Sequence, residues 1–491
     1  MMNTFKALHT IGKKAAHLKG VIHLLDWDQE TYLPPESTDP RSEQIALISA
    51  MRHDLVTSED FRKNLEAFEP VGEDEKACQR EWLRDFKQDI ALPSSFVEAF
   101  AKATSEAVVI WREARQKNDF SLFAPYLEKI VSLSRQKAEY LGYKETPYDA
   151  LLDLYEPGTT TSSVEKLFND LKKEIVPLLK SIKQGTEKTL KGPFPKEAQL
   201  AFARQVAEKM GFSFKTGRLD LTTHPFCTSL HPLDNRITTR VYEEEPISCL
   251  MGVIHETGHA LYDAGLPVEW FGTPLGEYIS MGMQESQSRF WETRIGQSYP
   301  FWKGFYTELQ KTFPEQLKDI STDEFYQIIN KVEPSLTRVE SDEVTYPLHV
   351  ILRFEIEKAL INDLLPVEEV PALWNKKMKE YLGIVPPNDK MGCLQDIHWS
   401  IGAIGYFPTY TLGNMYAAIL FNAFQKDHPD WEKRVSKGDL SFINEWQNRS
   451  VHRYGRKYRS NELLEKISGS PFSAKPYTDY LKQKYQNQPS T

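Results

Sequence analysis

A chain of 491 residues with 40% apolar, 26% charged and 12% aromatic content has the composition of a globular protein with a large core. Its net charge of -9, from 60 basic and 69 acidic residues without long like-charged blocks, argues against a nucleic-acid groove or a polybasic membrane patch. The 4 scattered cysteines (Cys78, Cys227, Cys249, Cys393) exclude a disulfide framework. With no signal-like start and no apolar run of about 20 residues, the chain reads as cytoplasmic, with no membrane or nucleic-acid partner.

The helical period dominates from the start. Phe5, Leu8, Ile11, Ala15, Leu18, Ile22 and Leu25 recur every three or four residues, which predicts an amphipathic helix. A second helix is expected from Ser162, with Ser162 and Glu165 at capping-box spacing and Val164, Leu167, Leu171, Ile175, Leu178 and Ile182 as its stripe. Similar patterns fill much of 95–140, 195–211, 247–265, 275–296, 323–332, 343–363, 367–382 and 410–426. Strands are expected only at 218–226 and 236–242, joined by a turn-like segment containing Pro232, Asp234 and Asn235. No repeat or linker interrupts the pattern. The expectation is a mainly α fold: one unit over 1–491, two helical halves around a cleft, and a small antiparallel sheet beside the 247–265 helix.

That helix carries the chemistry. In "CLMGVIHETGHALYD" (249–263), His255 and His259 stand four apart on one helix face and can bind one ion. Glu256, beside them, is suited to take a proton from an activated water. A catalytic zinc usually has three protein ligands and one open position. Glu269 is too near to fold back, while Glu277 and Glu285 on the next stretch are rivals by spacing. Further on, "MGCLQDIHWSIGAIGYFPTYTLGN" (391–414) sets Gln395, Asp396, His398, Tyr406 and Tyr410 among aromatics and glycines, a source of donors to a developing oxyanion. Arg338 and Asp342 stand four apart in "LTRVESD".

Together these residues resemble the carboxypeptidase Taq family of metallocarboxypeptidases over nearly the whole chain. Five motifs occur in order. "DNRIT" (234–238) fits DxRxT, and HETGH is HExxH. "QESQ" (284–287) fits a HESQ-like motif with Gln284 in place of its histidine. "TRVESD" (337–342) matches IRxxAD at Arg338 and Asp342. "GCLQDIHW" (392–399) fits GxxQDxHW. The resemblance implies Glu285 as the third ligand, a long helical fold with a deep groove, a homodimer, and release of single residues from peptides with a free C-terminal carboxylate. The expected cofactor is one Zn2+, and Co2+ or Mn2+ suit the same ligand types. Catalytic roles are expected for Glu256, Tyr406 and His398. Arg338 is expected to bind the substrate carboxylate, held by Asp342. Arg236 competes for that role, and His231, Tyr410, Gln395 and Asp396 are further substrate contacts. The 236–242 strand offers an edge to the peptide. The rivals are a zinc oligoendopeptidase of similar fold, without a carboxylate anchor, and an inactive helical zinc-binding protein, against which the intact Glu256 argues.

Overall fold

The computed structural model of the protein describes residues 4–182 and 188–486. Helices form nearly everywhere the apolar period is three to four. The first, α1 (Thr4–Thr31), buries Ala7, Leu8, Ala15 and Trp27, leaves Phe5, Ile11, Leu18, Ile22 and Leu25 of the expected stripe half-buried, and packs on α2 (Thr38–Val56). The helix expected from Ser162 spans Thr161–Ser181. Its capping box is Thr160 with Ser163, not Ser162 with Glu165, and Phe168 rather than Leu167 is buried in its stripe.

One continuous hydrophobic cluster runs from Ala107 to Tyr485. A smaller one, around Leu8, Phe61, Phe68 and Trp82, ties α1 to the next helices. The HETGH residues lie on the motif helix (Pro246–Ala264), which is buried on almost every side through Leu250, Val253, Ile254, Ala260 and Leu261. Such an all-round apolar helix belongs in a core. It packs on the sheet and on the ligand helix (Met281–Arg289). The ligand helix continues into a π-helical turn, Phe290–Gly296. Two glycines permit close helix crossings. A Cβ on Gly258 of the motif helix would stand 2.7 Å from the Ser288 Cα. One on Gly413, in the Pro408–Asp427 helix, would stand 2.5 Å from the Glu285 Cγ.

The sheet differs from expectation. It has three strands, β1 (Gly217–Leu221), β2 (Cys227–His231) and β3 (Asp234–Thr239), in the order β1-β3-β2. β2 pairs antiparallel with β3, whereas β1 pairs parallel with it. The segment expected as a turn thus supplies an edge strand, and β3 has neighbours on both sides. β3 therefore cannot offer the peptide-binding edge expected of 236–242. Among the described residues no helix is long and apolar enough to cross a membrane.

Candidate metal centre and substrate pocket

His255 and His259, one turn apart, turn their Nε2 atoms to within 3.2 Å of each other. Glu285 arrives from the ligand helix with Oε2 at 3.6 Å from both. Among the described residues this is the group of ligand-type side chains whose atoms all lie within 4.8 Å of one another. A tetrahedral site with bonds of about 2.0–2.2 Å needs donors roughly 3.3–3.6 Å apart. The donor set and its spacing therefore fit a divalent metal.

The far side of each ring is held. Glu292 Oε2 accepts from His255 Nδ1 at 2.8 Å and from Arg289 Nη1 at 2.8 Å, while Arg289 Nε donates to Asn414 Oδ1. His259 Nδ1 lies 3.0 Å from Gln284 Oε1, and Gln284 Nε2 donates to Asp263 Oδ1 at 2.8 Å. Fixing Nδ1–H in this way leaves each Nε2 lone pair for the ion. Burial lowers the His255 imidazole, but Glu285 and Glu292 outweigh it and hold it up at about 9. Burial and the neighbouring His255 push His259 down to about 3. Burial pushes Asp263 up to about 7, against Lys19 and the Gln284 amide, which favour its charged form.

Glu256 is 7% exposed and lines the pocket beside these ligands. Burial pushes its carboxyl up to about 7, with His255 opposing. No described residue hydrogen-bonds it. The pocket holds about 500 Å³. One wall is α1, through Ala16, Lys19, Gly20 and His23, and beside it runs β2 from Cys227 to His231. The lining also includes Tyr406, Thr409 and Tyr410.

β2 turns an edge to this space. Thr238 N–H donates to the Phe226 carbonyl, and Cys227 stands opposite Ile237 and Ser229 opposite Asn235. Alternation of the antiparallel ladder therefore points the Cys227 and Ser229 peptide groups away from β3. The Ser229 carbonyl is 2.8 Å from His23 Nδ1 of α1, so the Cys227 end is the open one.

Of the residues singled out from the sequence, His255, His259, Glu285, Glu256, His231, Tyr406 and Tyr410 meet at this pocket. His398 stands behind Tyr410, with Nε2 3.2 Å from its hydroxyl, and burial pushes its imidazole down to about 4. Arg338 is buried against the Tyr410 ring, 4.7 Å from its centroid, and does not line the pocket. Its Nε and Nη2 donate to Asp396 Oδ1 at 3.1 and 2.9 Å, and its Nη1 to the Tyr346 hydroxyl. Asp396 also accepts from Arg353, and Gln395 accepts from the Arg338 backbone and from Arg353. Gln395 and Asp396 thus form a part-buried network with Arg338 and Arg353, outside the pocket lining. Asp342 does not hold Arg338. It accepts from the Val344 and Thr345 backbone, because 338–342 is a bend and turn, not a helix with a shared face. Arg236 pairs with Asp234 and stacks on Trp27 outside the pocket lining.

Glu277, the rival ligand, precedes the ligand helix, whose N-cap is Ser280. It lines the pocket and pairs with Lys19 at 3.3 Å. The side chains are 34% and 40% exposed, so solvent screens the pair. Sequence reasoning missed Asp263, Arg289, Asn414 and the role of Glu292. A signal existed for Glu292, two helical turns beyond Glu285 and hence on its face.

A family model described as Carboxypeptidase Taq (M32) metallopeptidase matches residues 7–485. Carboxypeptidase 1 of Bacillus subtilis (strain 168) is 38% identical over 483 residues, covering 97% of this chain and 96% of that protein. Thermostable carboxypeptidase 1 of Thermus thermophilus is 38% identical, with 96% of each chain covered. The crystal structure of the M32 carboxypeptidase from Deinococcus radiodurans R1 superposes with a TM-score of 0.96 at 36% identity and covers 98% of each chain. A peptide hydrolase with a metal cofactor is what the His-His-Glu triangle and these matches describe, and the chain belongs to the carboxypeptidase Taq (M32) family of metallopeptidases.

Proposed function

We propose that this chain is a zinc-dependent carboxypeptidase that releases single residues from peptide C-termini. The observation that carries the reading is the buried, unpartnered Glu256 carboxylate beside the His255–His259–Glu285 triangle. Those three residues would hold the metal. When bound, it supplies a Lewis acid that polarises the scissile carbonyl and brings a water pKa to about 7.

The chain's own groups do the rest. Glu256, with its carboxyl pushed up to about 7, suits a base that takes the proton of the attacking water and returns it to the leaving amine. The Tyr406 hydroxyl, which no described residue hydrogen-bonds, is the first candidate donor to the developing oxyanion. Tyr410, already paired with His398, ranks after it. The open Cys227 end of β2 offers backbone groups to an extended peptide. Arg338 is the proposed anchor of the substrate carboxylate. Its guanidinium carries five N–H donors, of which Asp396 and Tyr346 take three. The Tyr410 ring covers it, so carboxylate binding requires that ring to turn aside.

A homodimer, which the family resemblance implies, is part of the proposal, and light scattering on the purified protein tests it. The activity is tested by mass spectrometry of a mixed peptide digest. A ladder of one-residue C-terminal losses, abolished by a chelator and absent for C-terminal amides, is the expected result. Internal cleavage would make the chain an endopeptidase.

A further inference from the structure

The two histidines of the metal centre are oriented by different chemistry. His255 gives its Nδ1 proton to Glu292, a carboxylate, which only accepts. His259 faces Gln284, an amide, which accepts at one end and donates at the other. Were the amide reversed, it would donate to Nδ1. The imidazole proton would then sit on Nε2 and block the nitrogen that faces the metal.

Asp263 decides between the two orientations. It lies one turn after His259 on the motif helix, is 8% exposed, and accepts from Gln284 Nε2 at 2.8 Å. In its charged form, which Lys19 and the Gln284 amide favour against burial, Asp263 has no proton to give the amide oxygen, so the –NH2 end is drawn to Asp263 and the carbonyl end to His259. Gln284 is itself 7% exposed, so little water reaches it to compensate a reversed amide.

We infer that Asp263 is a positioning residue for the metal, fixing the His259 tautomer through the Gln284 amide. The relay is written in this chain's own sequence, since Gln284 stands where the related motif carries histidine. The inference rests on the proposed metal site and adds a residue that touches neither metal nor His259.

The test is the zinc affinity of the chelator-stripped protein, measured by competition with a chromophoric chelator. The thermal midpoint of the stripped protein serves as the folding control. Asp263→Asn is nearly isosteric but can donate or accept, so the Gln284 amide loses its direction. Affinity should fall by about 10- to 100-fold with the midpoint unchanged. The double variant Asp263→Asn with Gln284→Glu reverses the donor order: the introduced carboxylate would accept both from His259 and from the introduced amide, and affinity should return. Wild-type affinity in Asp263→Asn, or no recovery in the double variant, overturns the inference. If Asp263→Asn also lowers the midpoint, Gln284→Leu breaks the same link from the other helix and must weaken zinc binding equally. Retention of affinity there overturns the inference. Failure of the metal site itself reads differently: wild type and Glu285→Ala would then bind zinc alike.

Discussion

His255 Nδ1 and Glu292 Oε2 lie 2.8 Å apart, and the same carboxylate oxygen accepts from Arg289. Glu292 is held down at about 2: burial opposes its charge, but Arg289 and His255 outweigh burial. It is therefore a permanent acceptor for the imidazole proton. Glu292→Gln should weaken metal binding by about 10- to 100-fold. Chelator competition measures this, and unchanged affinity would make Glu292 a partner of Arg289 alone.

Glu256→Gln should keep stoichiometric metal, since Glu256 is not part of the donor triangle. Turnover should fall by about 100- to 10,000-fold, the usual contribution of a general base. Metal analysis beside a peptide assay reads both halves, and substantial residual turnover would remove Glu256 as the base.

Glu285→Ala and Glu277→Ala should behave oppositely. The first removes one corner of the triangle and should release the metal. The second leaves Lys19 unpaired but the triangle intact, so metal content should be unchanged. Metal loss in Glu277→Ala would reverse the assignment.

Tyr406→Phe removes a pocket-lining hydroxyl and leaves the ring that packs edge-on against Tyr155, 5.1 Å between centroids. If that hydroxyl stabilises the oxyanion, kcat should fall by about 100- to 1,000-fold with KM little changed. An unaltered kcat would move the role to Tyr410.

Arg338→Ala should raise KM sharply for free-acid peptides and erase the preference for acid over amide, with metal retained. Breaking a buried, hydrogen-bonded charge contact of this kind costs about 2–5 kcal/mol. Asp396 keeps Arg353 as a partner, which favours folding of the variant. If the variant still discriminates acid from amide, Arg338 is structural and the pocket-lining Lys19 is the next cation to test.

The metal triangle was legible because a helix puts residues four apart on one face. Glu285 needed the motif resemblance, since spacing alone left Glu277 equal to it. What separates them is local: Ser280 caps the helix after Glu277, and helical periodicity does not mark that break. β2 was hidden because "CTSLH" is short, lacks alternation and is followed by Pro232. Its partners come from the next segment, while β1 pairs past it in parallel. Spacing also misled at Arg338 and Asp342, where i,i+4 means nothing without a helix. Gln395 and Asp396 combined polar character with aromatic surroundings, which suggested a pocket. They lie part-buried outside its lining, satisfied by two arginines.

The wall made by α1 has a consequence for how the protein is synthesised. His23 precedes its acceptor Ser229 by 206 residues, Lys19 precedes Glu277 by 258, and His9 precedes the Phe271 carbonyl by 262. Contacts so distant in sequence form late, because the loop between them must close first. On the ribosome α1 emerges early and can pack on α2 and the small cluster around Leu8, but its partners on the pocket side follow only 206 to 262 residues later. Glu285 comes later still. A nascent or truncated chain therefore has neither the third donor nor a finished wall, and hydrolysis of neighbouring polypeptides has to wait until synthesis has passed both.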